Sequence, residues 1–347
     1  MIAGCLLGTA VGDALGLPAE GLSRTRQKNL FGTMGSYRLL PGIGMVSDDT
    51  EHTVMTAQAL IASGGEPERF ARKLANALRR WILLLPAGVG LATARACGKL
   101  LLGFPPDRSG VFSAGNGPAM RSAILGACYP ENRAHLYALV RATTRLTHTD
   151  PKAEYGAAAV AFAAAQFACG VPDAPNLCTL LRTFLPDDAA PLLVALEAMA
   201  DSVLRAETTE EFAASQNLSE RVSGYVYHTV PVALHAAYRN PDDFRRAVLA
   251  AIHCGGDTDT VAAITGGIVG AGVGEEGIPD EWRRGLRDFP LSYARLLSFA
   301  APLALAVSTG QPGSVPRLPL LPTMARNLFF FLIVLLHGMR RLFPPYG

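Results

Sequence analysis

The sequence predicts an all-α protein, and three observations carry that prediction. Apolar residues recur at helical spacing along nearly the whole chain, as in Val54, Ala57, Leu60 and Ile61, or Val261, Ile264, Ile268 and Val269. Two Ala-rich runs, 153–169 and 189–200, are strong helix formers. Alternating β-branched stretches are scarce. Pro and Gly cluster at 86–90, 103–118, 170–175, 274–279 and 310–322, which read as loops. One domain over 1–310 accommodates these helices. The tail, 311–347, reads as a Pro-rich linker (PRLPLLP) followed by an apolar docking helix.

Bulk composition narrows the function. Half of the 347 residues are hydrophobic and 17% are charged, so the chain has ample core and is not disordered. A net charge of +2 argues against nucleic-acid binding driven by bulk charge. The six cysteines are scattered without a CxxC, as free thiols of a reducing compartment are, and a cytoplasmic location is expected.

The elements follow in chain order. The opening MIAGCLLGTAVGDALG lacks a basic leader, and no hydrophobic stretch precedes its Ile2-Ala3-Gly4-Cys5, so neither a secretory signal nor a lipoprotein box is expected. Gly4, Gly8, Gly12 and Gly16, spaced by four, give a helix one smooth face. Gly266, Gly270 and Gly274 repeat the device late in the chain. Asp13 reads as a structural cap. Between them lie SDDTEHT at 47–53, a Trp81 helix whose following loop holds no acid before Lys99, SAGNGPAMRSAILG at 113–126 and THTDPKAEYGA at 147–157. Last among the motifs comes HCGGDTDTVAAITGGIVGAG at 253–272. The apolar run at 328–336 has nine residues, against the roughly 20 of a spanning helix, and reads as a buried terminal helix. Arg340-Arg341 and the PPYG ending leave membrane-surface contact as the lesser alternative.

Two of these elements share a chemistry. Ser47, Asp48 and Asp49 open one helix; Asp257, Asp259 and Thr260 open another. Capping explains one Ser or Asp at a helix start, but not a cluster. If the two starts face each other, the carboxylates crowd together and require cations. Hard oxygen ligands without His or Cys select Mg²⁺, Mn²⁺ or Ca²⁺, and a bridged pair of ions suits such a cluster. Bland alternatives stand beside the other motifs. Gly115-Asn116-Gly117 is also a plain turn, His148 also a loop residue and Glu20 also a surface acid. Arg121 would pair with a buried carboxylate or a phosphate, and Cys254 reads as packing.

Together GCLLGTAVGDALGLPAEG (4–21), SDDTEHT, SAGNGPAMRSAILG, THTDPKAEYGA and GGDTDTVAAITGGIVGA (255–271) resemble the ADP-ribosylglycohydrolase family, in order over residues 2–275. The resemblance implies an orthogonal all-α bundle with a binuclear Mg²⁺ or Mn²⁺ centre in a cleft. Its metal ligands match Ser47, Asp48, Asp49, Asp257, Asp259 and Thr260, with Ser47 in place of the usual Thr. The ADP-ribose loop matches Ser113, Gly115, Asn116, Gly117 and Met120, and His148 matches a histidine beside the ligand. Glu20 matches the Glu near the metals. Arginine-specific members carry an Asp in the loop after the Trp helix; 84–94 here has none, which leaves Glu20 as the acid–base group. The implied activity is hydrolysis of the glycosidic bond between ADP-ribose and a protein or small-molecule acceptor, a nucleic-acid adduct included, by a monomer without a membrane span. A pyrophosphohydrolase and a degenerate ADP-ribose binder are the rival functions.

Overall fold

A computed structural model of the protein describes residues 1–340. Among them every regular element is a helix, and extended segments meet only in isolated bridges. The first third holds α1 (Ile2–Gly16), α2 (Arg24–Phe31), α3 (Asp48–Ser63), α4 (Pro67–Leu83), α5 (Leu91–Leu101) and α6 (Ala123–Cys128). The middle holds α7 (Arg133–Arg145), α8 (Pro151–Ala168), α9 (Ala174–Arg182), α10 (Ala190–Leu204), α11 (Thr209–Ser215) and α12 (Val226–Arg239). The last part holds α13 (Phe244–His253), α14 (Thr258–Val273), α15 (Asp280–Gly285), α16 (Tyr293–Leu297), α17 (Ala300–Thr309) and α18 (Leu320–Arg340).

The two glycine stripes pack on each other. A Cβ on Gly4 would meet Gly270 O at 2.1 Å, one on Gly8 would meet Gly266 O at 2.1 Å and one on Gly12 would meet Ala262 O at 2.1 Å. A Cβ on Gly16 would meet Thr258 O at 2.3 Å. Each step of four on α1 is a step back of four on α14, so the pair is antiparallel and in register. Both helices are buried, and the stretch Ile2–Ala19, α1 with the turn after it, lies in the core although it is apolar and long enough to cross a membrane. This register has one consequence for function. It sets the end of α1, and the Glu20 turn after it, beside the Asp257-Thr258-Asp259 start of α14. Thr258 Oγ1 locks the junction by donating to Gly16 O at 2.8 Å.

The Ala-rich α8 is buried along nearly its whole length, and small side chains again allow close contact: a Cβ on Gly126 would sit 2.0 Å from Ala161 O. The runs read as helices at 153–169 and 189–200 are α8 and α10.

The tail departs from expectation. The nine-residue apolar run lies within a 21-residue helix, α18. It is buried on one face only: Phe330 and Ile333 are buried, whereas Leu321 is 75% exposed and Leu332 57%. By length and composition Leu320–Met339 is long and apolar enough to cross a membrane. The sequence pattern concealed this because Thr323, Arg326 and Asn327 interrupt the run, yet all three lie on one face of the helix. Arg341 and the PPYG ending lie outside the described residues.

Candidate active site

The start of α3 is capped twice. Ser47 Oγ accepts from Asp49 N at 3.3 Å. Asp13, reaching across from α1, accepts from Ser47 N at 2.9 and 3.1 Å, from Thr50 N at 3.2 Å and from Thr50 Oγ1 at 2.5 Å. Asp13 is thus a cap, but of another helix than its own. With those N–H groups satisfied, Asp48 and Asp49 are free of capping duty. Asp257 likewise makes no side-chain cap to α14. Its Oδ2 accepts instead from Asn116 Nδ2 at 2.5 Å. Capping therefore does not account for these carboxylates.

The two helix starts meet. Thr260 Oγ1 donates to Asp49 Oδ2 at 3.2 Å, 211 residues away in sequence, and Ser47 Oγ donates to the same oxygen at 3.2 Å. The other oxygens, Asp49 Oδ1 and Asp259 Oδ1, are buried with no hydrogen-bond partner. Burial pushes Asp48, Asp49 and Asp259 well above the usual carboxylate range, and the neighbouring acids push them further: Asp13, Glu51 and Glu20 on Asp48; Asp13, Asp48 and Asp257 on Asp49; Glu20, Asp257 and Asp49 on Asp259. Asp257 is raised by burial, and Asp13 is pushed up to about 6 by the same cause.

Orphaned buried carboxylate oxygens amid repelling acids are what a hard divalent cation satisfies. Among the described residues no three His, Cys, Asp or Glu side chains converge on one ion-sized point. The groups that do meet are mixed, with the Ser47 and Thr260 hydroxyls on Asp49. This all-oxygen donor set fits Mg²⁺ or Mn²⁺ and not zinc.

Glu20 follows the short turn Leu17–Ala19 and is exposed. Gly21 N donates to Gly256 O and Gly256 N donates to Leu22 O, each at 2.7 Å, so the turn is stitched to the segment that leads into Asp257. Its charge is felt by both Asp48 and Asp259, which sets it between the two halves of the cluster.

The 113–117 loop lies alongside the entry to α12. Asn116 N donates to Gly224 O at 3.0 Å and Val226 N donates to Ala114 O at 3.0 Å. Asn116 Nδ2 reaches both Thr229 Oγ1, at 2.9 Å, and Asp257, and so ties the loop to the acidic cluster. Ser113 Oγ accepts from Gly115 N at 3.3 Å. Met120 is buried, with its carbonyl accepting from Thr53 Oγ1 at 3.3 Å. His148 sits behind the loop: a Cβ on Gly115 or Gly117 would come within 3.1 Å of its ring. Its Nδ1 pairs with Thr147 Oγ1 at 2.9 Å, and burial holds its pKa down at about 3, so the imidazole is neutral. The two glycines are glycines because this ring occupies the space of a side chain.

Arg121 pairs with no carboxylate among the described residues. It is fully buried and donates to Thr143 Oγ1, Thr143 O and Thr147 Oγ1, with His52 Nδ1 at 2.9 Å. Three further groups escaped the sequence reading. Gly224 and Thr229 flank Asn116, and their only signal was the Gly-Tyr step before α12. Arg326 of α18 donates to Val46 O at 2.5 Å and pairs with Asp288, which accepts from Val46 N at 3.0 Å. This clamp fixes the residue before Ser47. The loop after Trp81 passes close by, with a Cβ on Gly88 3.6 Å from Asp48 Oδ1, and Trp81 itself donates to Glu51 at 2.6 Å.

An "Uncharacterized protein" of Archaeoglobus fulgidus is 34% identical over 294 residues, covering 82% of this chain and 90% of the relative. The ADP-ribosyl-[dinitrogen reductase] glycohydrolase of Rhodospirillum rubrum is 27% identical over 80% of this chain and 87% of its own. The ADP-ribosylhydrolase ARH3 of Gallus gallus is 26% identical over 82% and 89%. A solved structure described as an ADP-ribosylglycohydrolase-related protein complex superposes with a TM-score of 0.61 at 29% identity, covering 88% of this chain and 97% of that one. The profile of the ADP-ribosylglycohydrolase family matches residues 1–313, a span that takes in both helix starts, the Glu20 turn and the 113–117 loop. With its acidic helix starts joined across the glycine-striped pair and that profile running through them, the chain belongs to the ADP-ribosylglycohydrolase family.

Proposed function

We propose that the protein hydrolyses the glycosidic bond between ADP-ribose and an acceptor, releasing free ADP-ribose. The observation that carries this reading is the Thr260–Asp49 contact between two remote helix starts, flanked by the partnerless oxygens of Asp49 and Asp259. Two divalent cations, Mg²⁺ or Mn²⁺, are the proposed cofactors, held by Ser47, Asp48, Asp49, Asp257, Asp259 and Thr260. When bound, they would polarise a water and orient the ribose hydroxyls.

The chain's own groups supply the rest. Glu20 is the proposed base, taking the proton of the attacking water, because it is exposed on a turn whose backbone is stitched to the segment leading into Asp257, and no acid follows Trp81 in the neighbouring loop. The 113–117 backbone offers a concave turn for the pyrophosphate, stiffened from behind by the His148 ring. Asn116 couples that turn to Asp257, so ligand position and metal site are set together. Acceptors in line with the reported relatives' names are ADP-ribosylated proteins; arginine, serine, ester, nucleic-acid and small-molecule linkages complete the proposed set. A monomer in a reducing, cytoplasmic setting fits the free cysteines.

The test is a panel of defined ADP-ribosyl conjugates assayed with Mg²⁺, Mn²⁺ or chelator. Cation-dependent release of ADP-ribose is expected from at least one. AMP as the product would instead indicate pyrophosphate cleavage, and binding without turnover would indicate a degenerate relative.

A further inference from the structure

α18 is an inside-out amphipathic helix. Its polar residues Thr323, Arg326, Asn327 and His337 lie on the same face as Phe330 and Ile333, and that face is turned to the protein. Asn327 Nδ2 donates to Leu84 O at 2.9 Å, His337 Nε2 meets Pro18 O at 2.9 Å and Arg326 pairs with Glu51 and Asp288. The opposite face, Leu321, Leu328, Leu332, Leu335, Leu336 and Met339, is exposed and carries no polar residue. A helix on a water-facing surface has the reverse arrangement. Leu83 and Leu85, 62% and 57% exposed beside the Asn327 anchor, extend the apolar surface onto the body of the protein.

Charge says what covers it. No Asp or Glu follows Asp288 in the sequence, whereas Arg295, Arg317, Arg326, Arg340 and Arg341 do. A second copy would bring like-charged segments together across a two-fold axis. An anionic bilayer presents apolar chains to the leucines and phosphate headgroups to the exposed Arg317 before the helix and to the Arg340-Arg341 pair of the sequence.

We propose that the outward face of α18 is a docking surface for an anionic lipid bilayer, on which the helix lies in the membrane plane. It does not span, because crossing would pull Arg326 off Glu51 and Asp288 and leave all three charges unpaired. Through the His337–Pro18 contact, two residues before Glu20, the docked helix holds the candidate active site at the membrane surface. The inference is independent of the hydrolase reading, since its readout is partition and not turnover.

The experiment is flotation of the full chain with vesicles of phosphatidylcholine containing phosphatidylglycerol, against phosphatidylcholine alone. The wild type is expected to float with the anionic vesicles at least about tenfold better, less as salt rises, and to be released by alkaline carbonate. The triple variant Leu328→Glu, Leu332→Glu, Leu335→Glu is expected to lose that partition while keeping its helical circular dichroism. Leu328→Ser, Leu332→Ser, Leu335→Ser serves as its uncharged counterpart. Failure of the wild type to float, or equal flotation of the variants, would overturn the proposal. So would resistance to carbonate, which marks a spanning helix, or a discrete dimer in sedimentation velocity that the triple variant abolishes.

Discussion

Asp259 illustrates how one side chain is set against the fold that holds it. It is buried, one of its oxygens has no partner, and burial with the charges of Glu20, Asp257 and Asp49 raises its pKa well above the carboxylate range. A group so placed costs stability unless a cation offsets it. Asp259→Asn is therefore expected to raise the melting temperature of the metal-free protein while abolishing Mg²⁺ or Mn²⁺ binding, read by calorimetry and metal titration. A lowered melting temperature would mean that Asp259 is a structural acceptor. Glu20 is the contrasting case, exposed and outside the buried set. Glu20→Ala should lower turnover by about 10²–10⁴-fold with metal affinity nearly kept, since general-base contributions have that size. Collapse of metal occupancy in that variant would make Glu20 a ligand instead.

The α1–α14 pair carries these side chains, and its glycines are the element-scale test. A Cβ at Gly16 would lie 2.3 Å from Thr258 O and 2.7 Å from the Asp259 Cα; one at Gly4 would lie 2.1 Å from Gly270 O, at the far end of the crossing. Both clashes are with backbone, which cannot swing aside, so each Gly→Ala is expected to cost about 1–3 kcal/mol or more in chemical denaturation. Gly16→Ala should also weaken metal binding, and Gly4→Ala should not. Equal metal affinities would show that the crossing does not position the site. The glycine spacing made both stripes legible in the sequence, and the clustered acids made both helix starts legible. What spacing does not encode is which stripe meets which, or that Asp13 leaves its own helix to cap α3. Long-range partners such as Thr260 with Asp49 and Arg326 with Asp288 leave no periodic trace either. The tail misled because the eye counts consecutive apolar residues, whereas α18 keeps its polar ones on a single face.

At the scale of the whole molecule the acidic cluster links protons, cations and folding. Asp48, Asp49 and Asp259 have pKa values raised well above the ordinary 3.8, with burial as the first cause. The folded state then holds protons that the unfolded chain has released. Stability is favoured below the unfolded pKa and falls as pH rises through the raised folded values. The buried His52 and His148 act with the opposite sign. Their pKa values are depressed by burial, so stability rises with pH only up to the unfolded value near 6.5 and is level above it. Above the unfolded histidine value the carboxylates therefore set the sign, and the metal-free protein should melt at progressively lower temperature as pH rises through their raised folded values. On the proposed reading a divalent cation would take the place of the lost protons and bind only the folded site. At about 100 times its dissociation constant it would restore about 2.7 kcal/mol. The increment should be larger at the alkaline end, with protons released on binding, and absent in Asp259→Asn. Differential scanning calorimetry with chelator, Mg²⁺ or Mn²⁺ at each pH measures all three. A melting temperature that ignores both pH and cation would mean that the acids of α3 and α14 are ionised in the fold as they are in the unfolded chain, and grip no metal.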